Sequence, residues 1–150
     1  MKFTRRETFA VAAGFVAFGV AGLRPTTASA TEEDAMKAVM EFAGGEPQAG
    51  RISLTAPEIA ENGNTVPVTV SVESPMTDAD HVQSVVLYAD GNPNPFVITF
   101  NFTPMSGEAT ATTRIRLAKT QNVIAVAKMS DGSSFMDKKQ VKVTIGGCGG

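Results

Sequence analysis

The sequence has no tryptophan, one tyrosine, one histidine and one cysteine among its 150 residues. A lone cysteine excludes an internal disulfide, and no second thiol is present to resolve an oxidised one. One cysteine and one histidine, His81, cannot supply the several soft ligands that a zinc or copper site takes, so no metal and no cofactor is expected. His81 stands where a strand is about to begin and reads as an ordinary surface histidine. Basic residues are also scarce. Four of the 13 lie in the first 30 residues, against one of the 15 acidic ones, so residues 31–150 carry nine basic and 14 acidic groups, a net charge of −5. That charge excludes nucleic acid and anionic membranes as expected partners.

The one long apolar stretch lies at the N-terminus. Lys2, Arg5 and Arg6 are followed by apolar residues from Phe9 to Leu23 and then by Ala28-Ser29-Ala30. A basic start, an apolar centre and a small-x-small site are the parts of an export signal, cleaved near Ala30. An uncleaved N-terminal anchor helix is the alternative, and the Ala-Ser-Ala site argues against it. Thr4-Arg5-Arg6-Glu7-Thr8-Phe9 resembles a twin-arginine signal, although Thr8 stands where a large apolar residue is usual and Phe9 follows it. Export of this type carries folded proteins, often with a partner attached. The expected location is the periplasm.

After the signal, one domain is expected over 31–145. Residues 31–43 read as a helix capped by Thr31, with acidic residues in its first turn and Met36, Val39, Met40 and Ala43 on one face; Gly44-Gly45 stops it. Beyond Gly50 the period becomes two. Ile52 and Leu54, then Val66, Val68, Val70 and Val72, mark inward faces. Val82–Ala89 is a continuous apolar run, as a doubly buried strand would be. Phe96, Ile98, Phe100 and Phe102 alternate with more polar neighbours. So do Ile115 and Leu117 with Arg114 and Arg116, and Val123, Ala125, Ala127, Val141, Val143 and Ile145 follow. Turn sequences such as Glu61-Asn62-Gly63-Asn64 and Asp90-Gly91-Asn92-Pro93 separate these runs. The pattern predicts an all-β protein, an antiparallel sandwich of about seven strands with a short N-terminal helix.

The sequence closes with Gly146-Gly147-Cys148-Gly149-Gly150. At the usual ~7% of glycine, four glycines around a given cysteine arise by chance with odds on the order of 1 in 10⁴ or below. Ile145 reads as the last inward-facing residue and the root of the arm, and residues 146–150 read as a thin, mobile arm. Its length places Cys148 about 10 Å beyond Ile145. A free thiol titrates near 8.5, and no neighbouring histidine, helix N-terminus or close cation lowers that value. A mobile arm also cannot hold a catalytic geometry. Cys148 therefore reads as displayed rather than activated, with the chemistry left to partners. No catalytic residue is expected. Arg114 and Arg116 share a strand face, which reads as solvated or as a contact for a partner or an anion.

These residues resemble the SoxY family, the sulfur-carrying subunits of the bacterial Sox thiosulfate-oxidation system. The resemblance rests on Gly146-Gly147-Cys148-Gly149-Gly150 behind Val141-Lys142-Val143-Thr144-Ile145. It extends to Pro57-Glu58-Ile59-Ala60-Glu61-Asn62-Gly63, Val66-Pro67-Val68, Arg114-Ile115-Arg116-Leu117-Ala118-Lys119-Thr120-Gln121 and the twin-arginine start. It implies a periplasmic, immunoglobulin-like sandwich that pairs with a second sandwich subunit, SoxZ. It implies that a haem enzyme joins thiosulfate to Cys148 as a cysteine S-thiosulfonate. A hydrolase then releases sulfate, and a molybdenum–haem enzyme can oxidise the sulfane sulfur left behind. Gly146, Gly147, Gly149 and Gly150 match the family's swinging arm. Three rivals stay open on the residues alone: a carrier activated at the carboxylate of Gly150, an adhesion domain joined through a Cys148 disulfide, and a redox enzyme.

Overall fold

The computed structural model describes residues 31–147. The export signal of 1–30 and Cys148, Gly149 and Gly150 lie outside the described residues. Helix α1 (Glu32–Ala43) opens the domain. Thr31 caps it by accepting from the Asp34 amide at 3.3 Å, while Asp34 Oδ2 accepts from the Thr31 amide at 3.0 Å. The Thr31 amide and hydroxyl together hold the Asp34 carboxyl below its usual value. Gly44 closes the helix in the left-handed conformation at φ 76°, its amide donating to the Met40 carbonyl.

Eight strands follow: β1 (Ile52–Thr55), β2 (Ile59–Asn62), β3 (Val66–Val72), β4 (Val82–Ala89), β5 (Phe96–Asn101), β6 (Ala109–Ile115), β7 (Gln121–Met129) and β8 (Ser134–Ile145). They form a three-stranded sheet, β1-β3-β6, and a five-stranded sheet, β2-β8-β7-β4-β5. Every pairing is antiparallel except β2 with β8, which run parallel. The immunoglobulin-like sandwich is therefore present, with one parallel edge that the antiparallel expectation lacked. β2 escapes the period-two reading because Ala60 is its one buried residue and Ile59 is exposed.

The main core lies between the sheets, with Leu54, Val66, Val68, Val70, Val85, Leu87, Leu117, Val123, Ala125 and Val141 at its centre. A second cluster lies on the other face of the five-stranded sheet, where Val39 and Ala43 of α1 cover Val86, Tyr88, Ile124 and Val126. Two-sided burial explains why β4 reads as a continuous apolar run; β7, read as alternating at Val123, Ala125 and Ala127, is buried on both faces as well. Two face assignments change. Ala35, Val39 and Ala43 form the buried stripe of α1, spaced at four residues, and Met40 stands on its flank, 48% exposed. In β5 the register slips between Leu87 and Tyr88, so Ile98 pairs with Leu87 but Phe96 pairs with Tyr88. Phe96 thus sits edge-to-face on Tyr88 on the helix side, while Ile98, Phe100 and Phe102 pack on the main core.

Ile124 is fully buried under α1. Ile124→Ala is expected to destabilise the domain by about 2–5 kcal/mol, measured by denaturant unfolding. A loss below about 1 kcal/mol would show that α1 does not cover this face.

Candidate functional site

The candidate site is the corner of the sandwich that holds Gly147, the last described residue before Cys148 in the sequence. Three pieces of backbone meet there: the turn after β2, the 116–120 connection between β6 and β7, and the end of β8. The turn is shaped by Asn62, whose side-chain oxygen accepts from the Asn64 amide at 2.9 Å. The 116–120 connection is fixed from inside by Leu117, a fully buried core residue. β8 outruns β7, since their pairing stops at Val141 opposite Gln121. Beyond that point the Val143 amide donates to the Thr120 hydroxyl at 3.0 Å.

Backbone hydrogen bonds stitch the three pieces in sequence. The Gly63 amide donates to the Ile145 carbonyl at 2.8 Å, the Leu117 amide to the Gly63 carbonyl at 2.8 Å, and the Gly147 amide to the Leu117 carbonyl at 2.9 Å. Gly63 and Gly147 are both buried. A Cβ on Gly63 would overlap the Leu117 carbonyl oxygen and stand 2.7 Å from the Gly147 nitrogen. A Cβ on Gly146 would overlap the Ala118 carbonyl oxygen, and one on Gly147 would stand 2.9 Å from the Gly63 oxygen. None of these glycines adopts a left-handed φ. Their place is set by close approach of backbone to backbone, not by conformational freedom.

A buried polar cluster holds the 116–120 connection from behind. Asn92, 2% exposed, donates from Nδ2 to the Arg116 carbonyl at 2.9 Å, and its Oδ1 accepts from the Ala118 amide at 3.0 Å. Gln121 Nε2 donates to Asn92 Oδ1 at 2.9 Å and to the Lys119 carbonyl at 3.1 Å, while its Oε1 accepts from the Gly91 amide at 2.7 Å. Asp90 takes the Asn122 amide at 2.8 Å. Among the described residues no buried side-chain polar atom lacks a partner. Each such bond contributes about 0.5–1.5 kcal/mol, and breaking a buried one costs about 1–3 kcal/mol.

The structure revises the root of the expected arm. Ile145 was expected to point inward and anchor it. Its side chain is 66% exposed, and the anchor is its carbonyl. Gly146 and Gly147, expected as the first residues of a mobile arm, lie against the Ala118 and Gly63 backbone. Cys148, Gly149 and Gly150 lie outside the described residues. Arg114 and Arg116 are both exposed on β6 and just beyond it, as a solvated face would be. His81 lies far from this corner in the fold, half-buried before β4, with Nδ1 3.0 Å from the Thr77 carbonyl.

Among the described residues three carboxyl and phenol groups depart from their usual acidity, and none belongs to the corner. Asp34 is the helix cap, Asp131 is held low by the Ser133 hydroxyl and amide, and Tyr88 is pushed up by burial under α1 and then by Glu41. No group of three His, Cys, Asp or Glu side chains that could hold a metal occurs among the described residues. No helix of the described residues is long and apolar enough to cross a membrane. A shallow polar groove lined by Thr31, Asp90, Lys119, Thr120 and Gln140 lies beside the corner.

The family model described as sulfur oxidation protein SoxY matches residues 37–148, from within α1 to Cys148. The chain belongs to the SoxY family. The sulfur carrier protein SoxY from Chlorobium limicola f thiosulfatophilum is similar in structure, with a TM-score of 0.60 and 32% identity, covering 73% of this chain and 96% of that one. A superoxide reductase (neelaredoxin) from Ignicoccus hospitalis is also similar, with a TM-score of 0.56 and 22% identity over 81% of this chain and 99% of that one. At that identity it shows a shared sandwich and nothing of chemistry. No curated protein matches the chain.

Sequence reading found the cysteine and its glycines but missed Gly63, Leu117, Asn92 and Gln121 as parts of one corner. The turn signal at Glu61–Asn64 marked one of the three pieces and that at Asp90–Pro93 the polar cluster behind them, and only the fold brings these together. Asn92→Ala strands the Ala118 amide and the Arg116 carbonyl, and is expected to cost about 1–3 kcal/mol in denaturant unfolding. Ile145→Ala is expected to cost less than about 0.5 kcal/mol, because its side chain is largely in solvent. A cost of several kcal/mol for Ile145→Ala would restore it as a core residue.

Proposed function

We propose that this protein is an exported sulfur carrier that holds sulfur covalently on Cys148 and presents it to the enzymes of thiosulfate oxidation. The observation that carries this reading is the family match, which runs to the chain's single cysteine. Support comes from the similar Chlorobium limicola protein, a sulfur carrier. The corner adds a physical feature: Gly147, the residue before Cys148, is buried backbone bonded to the Leu117 carbonyl.

Loading joins the Cys148 sulfur to the outer sulfur of thiosulfate. The thiol loses its proton, and an electron pair passes to a haem enzyme, leaving a cysteine S-thiosulfonate. Water then attacks the terminal sulfone, sulfate leaves, and a persulfide remains. Oxidation of that sulfane sulfur takes oxygen from water and passes electrons to the molybdenum–haem partner. A second hydrolysis restores the thiol and releases another sulfate. The carrier supplies no acid, base or metal to these steps. Its docked body keeps the thiol at high local concentration near each active site. The twin-arginine signal, cleaved near Ala30, places the folded protein in the periplasm, paired with a SoxZ-like sandwich.

Replacement of Cys148 tests the reading. Cys148→Ser is expected to leave unfolding unchanged within about 0.5 kcal/mol while thiosulfate consumption by cells carrying it is lost. Thiosulfate consumption at the unsubstituted rate would remove the carrier reading and favour a domain that uses the cysteine for interchain linkage.

A further inference from the structure

We propose that Gly63 is a positioning residue for Cys148: with Gly147 it forms a backbone latch that fixes where the carrier thiol leaves the body. This rests on the carrier reading for its purpose, though not for its geometry. The latch consists of the Gly147 amide on the Leu117 carbonyl, the Leu117 amide on the Gly63 carbonyl and the Gly63 amide on the Ile145 carbonyl. It closes only where two chains approach without side chains. A Cβ on either Gly63 or Gly147 would push into the other, at 2.7 Å from the Gly147 nitrogen and 2.9 Å from the Gly63 oxygen respectively. Gly146 is confined in the same way by the Ala118 carbonyl.

The positions of Leu117 and Ala118 are not adjustable. Leu117 is fully buried, and the Asn92–Gln121 cluster holds the carbonyls and amide on either side of it. The socket is therefore rigid, and the latch partner that can move is the end of β8. A closed latch leaves Cys148 one residue, ~3.8 Å between Cα atoms, from a buried anchor, where an arm rooted at Ile145 would place it about 10 Å away. The root from which Cys148 follows, Gly147, is then held at one corner of the sandwich, between the Asn62–Asn64 turn and the 116–120 connection. An enzyme that takes it must approach that corner or open the latch.

Amide hydrogen exchange on the purified protein with its C-terminus intact reads the latch directly. The Gly147 amide is expected to exchange at least about tenfold more slowly than the amides of Gly149 and Gly150. Exchange at the same rate as theirs would overturn the proposal. Gly63→Ala is expected to remove the Gly147 protection while core amides such as Val123 and Val126 stay protected. A nitroxide attached to Cys148, the only thiol, is expected to give a sharper, more mobile spectrum in that variant. An unchanged Gly147 protection and spectrum with the core intact would also overturn it. Where Gly63→Ala does not fold, Gly147→Ala presses the same contact from the other side, and the unsubstituted protein's Gly147 exchange decides alone. These readings do not depend on bound sulfur. A protected Gly147 in a protein that never carries sulfur would keep the latch and remove the carrier reading.

Discussion

Close approach of three backbones at one corner is the constraint on which the placement of the end of β8 and of Gly146 and Gly147 depends. Strand β8 runs past its neighbour β7, and its final residues have lost the antiparallel ladder that satisfied the rest. Their polar groups are taken up by the Thr120 hydroxyl on one side and by the parallel β2 and its turn on the other. That arrangement demands glycine where the chains touch and a fixed 116–120 connection behind them. The buried amides of Asn92 and Gln121 supply the second requirement, since every polar atom of both side chains has a partner inside a low-dielectric interior.

Most of the fold was legible because its physics is periodic. The valines of β3 all face inward and alternate with Pro67, Thr69 and Ser71 as the sequence suggests, and the unbroken run of β4 correctly implied burial on both faces, with α1 as the second cover. What the pattern missed depends on contacts remote in sequence. β2 carries no alternation because its role is to lie along the edge of β8. Phe96 changes faces at a register slip opposite Leu87 and Tyr88, which local sequence does not mark. Ile145 ended an alternating run and so read as buried, yet the core tapers there and its side chain reaches solvent.

The C-terminal segment shows the same division. Cys148 stood out from composition alone, being a single thiol among glycines. The glycines were read as freedom. For Gly146 and Gly147 the structure gives a second reason for glycine, space, because neither bears a left-handed φ and both lie against other backbone. That distinction is invisible in one sequence, because the partner glycine, Gly63, lies in a turn that any polar loop resembles. The sandwich itself decides little, as its likeness to a superoxide reductase shows.

The most direct test of the account is the intact mass of the protein isolated from cells grown on thiosulfate, before and after mild reductant, with the adduct mapped by peptide. The account predicts a reducible addition of thiosulfate or sulfane mass on Cys148. An unmodified thiol under those conditions, or sulfur attached at any other residue, would contradict it.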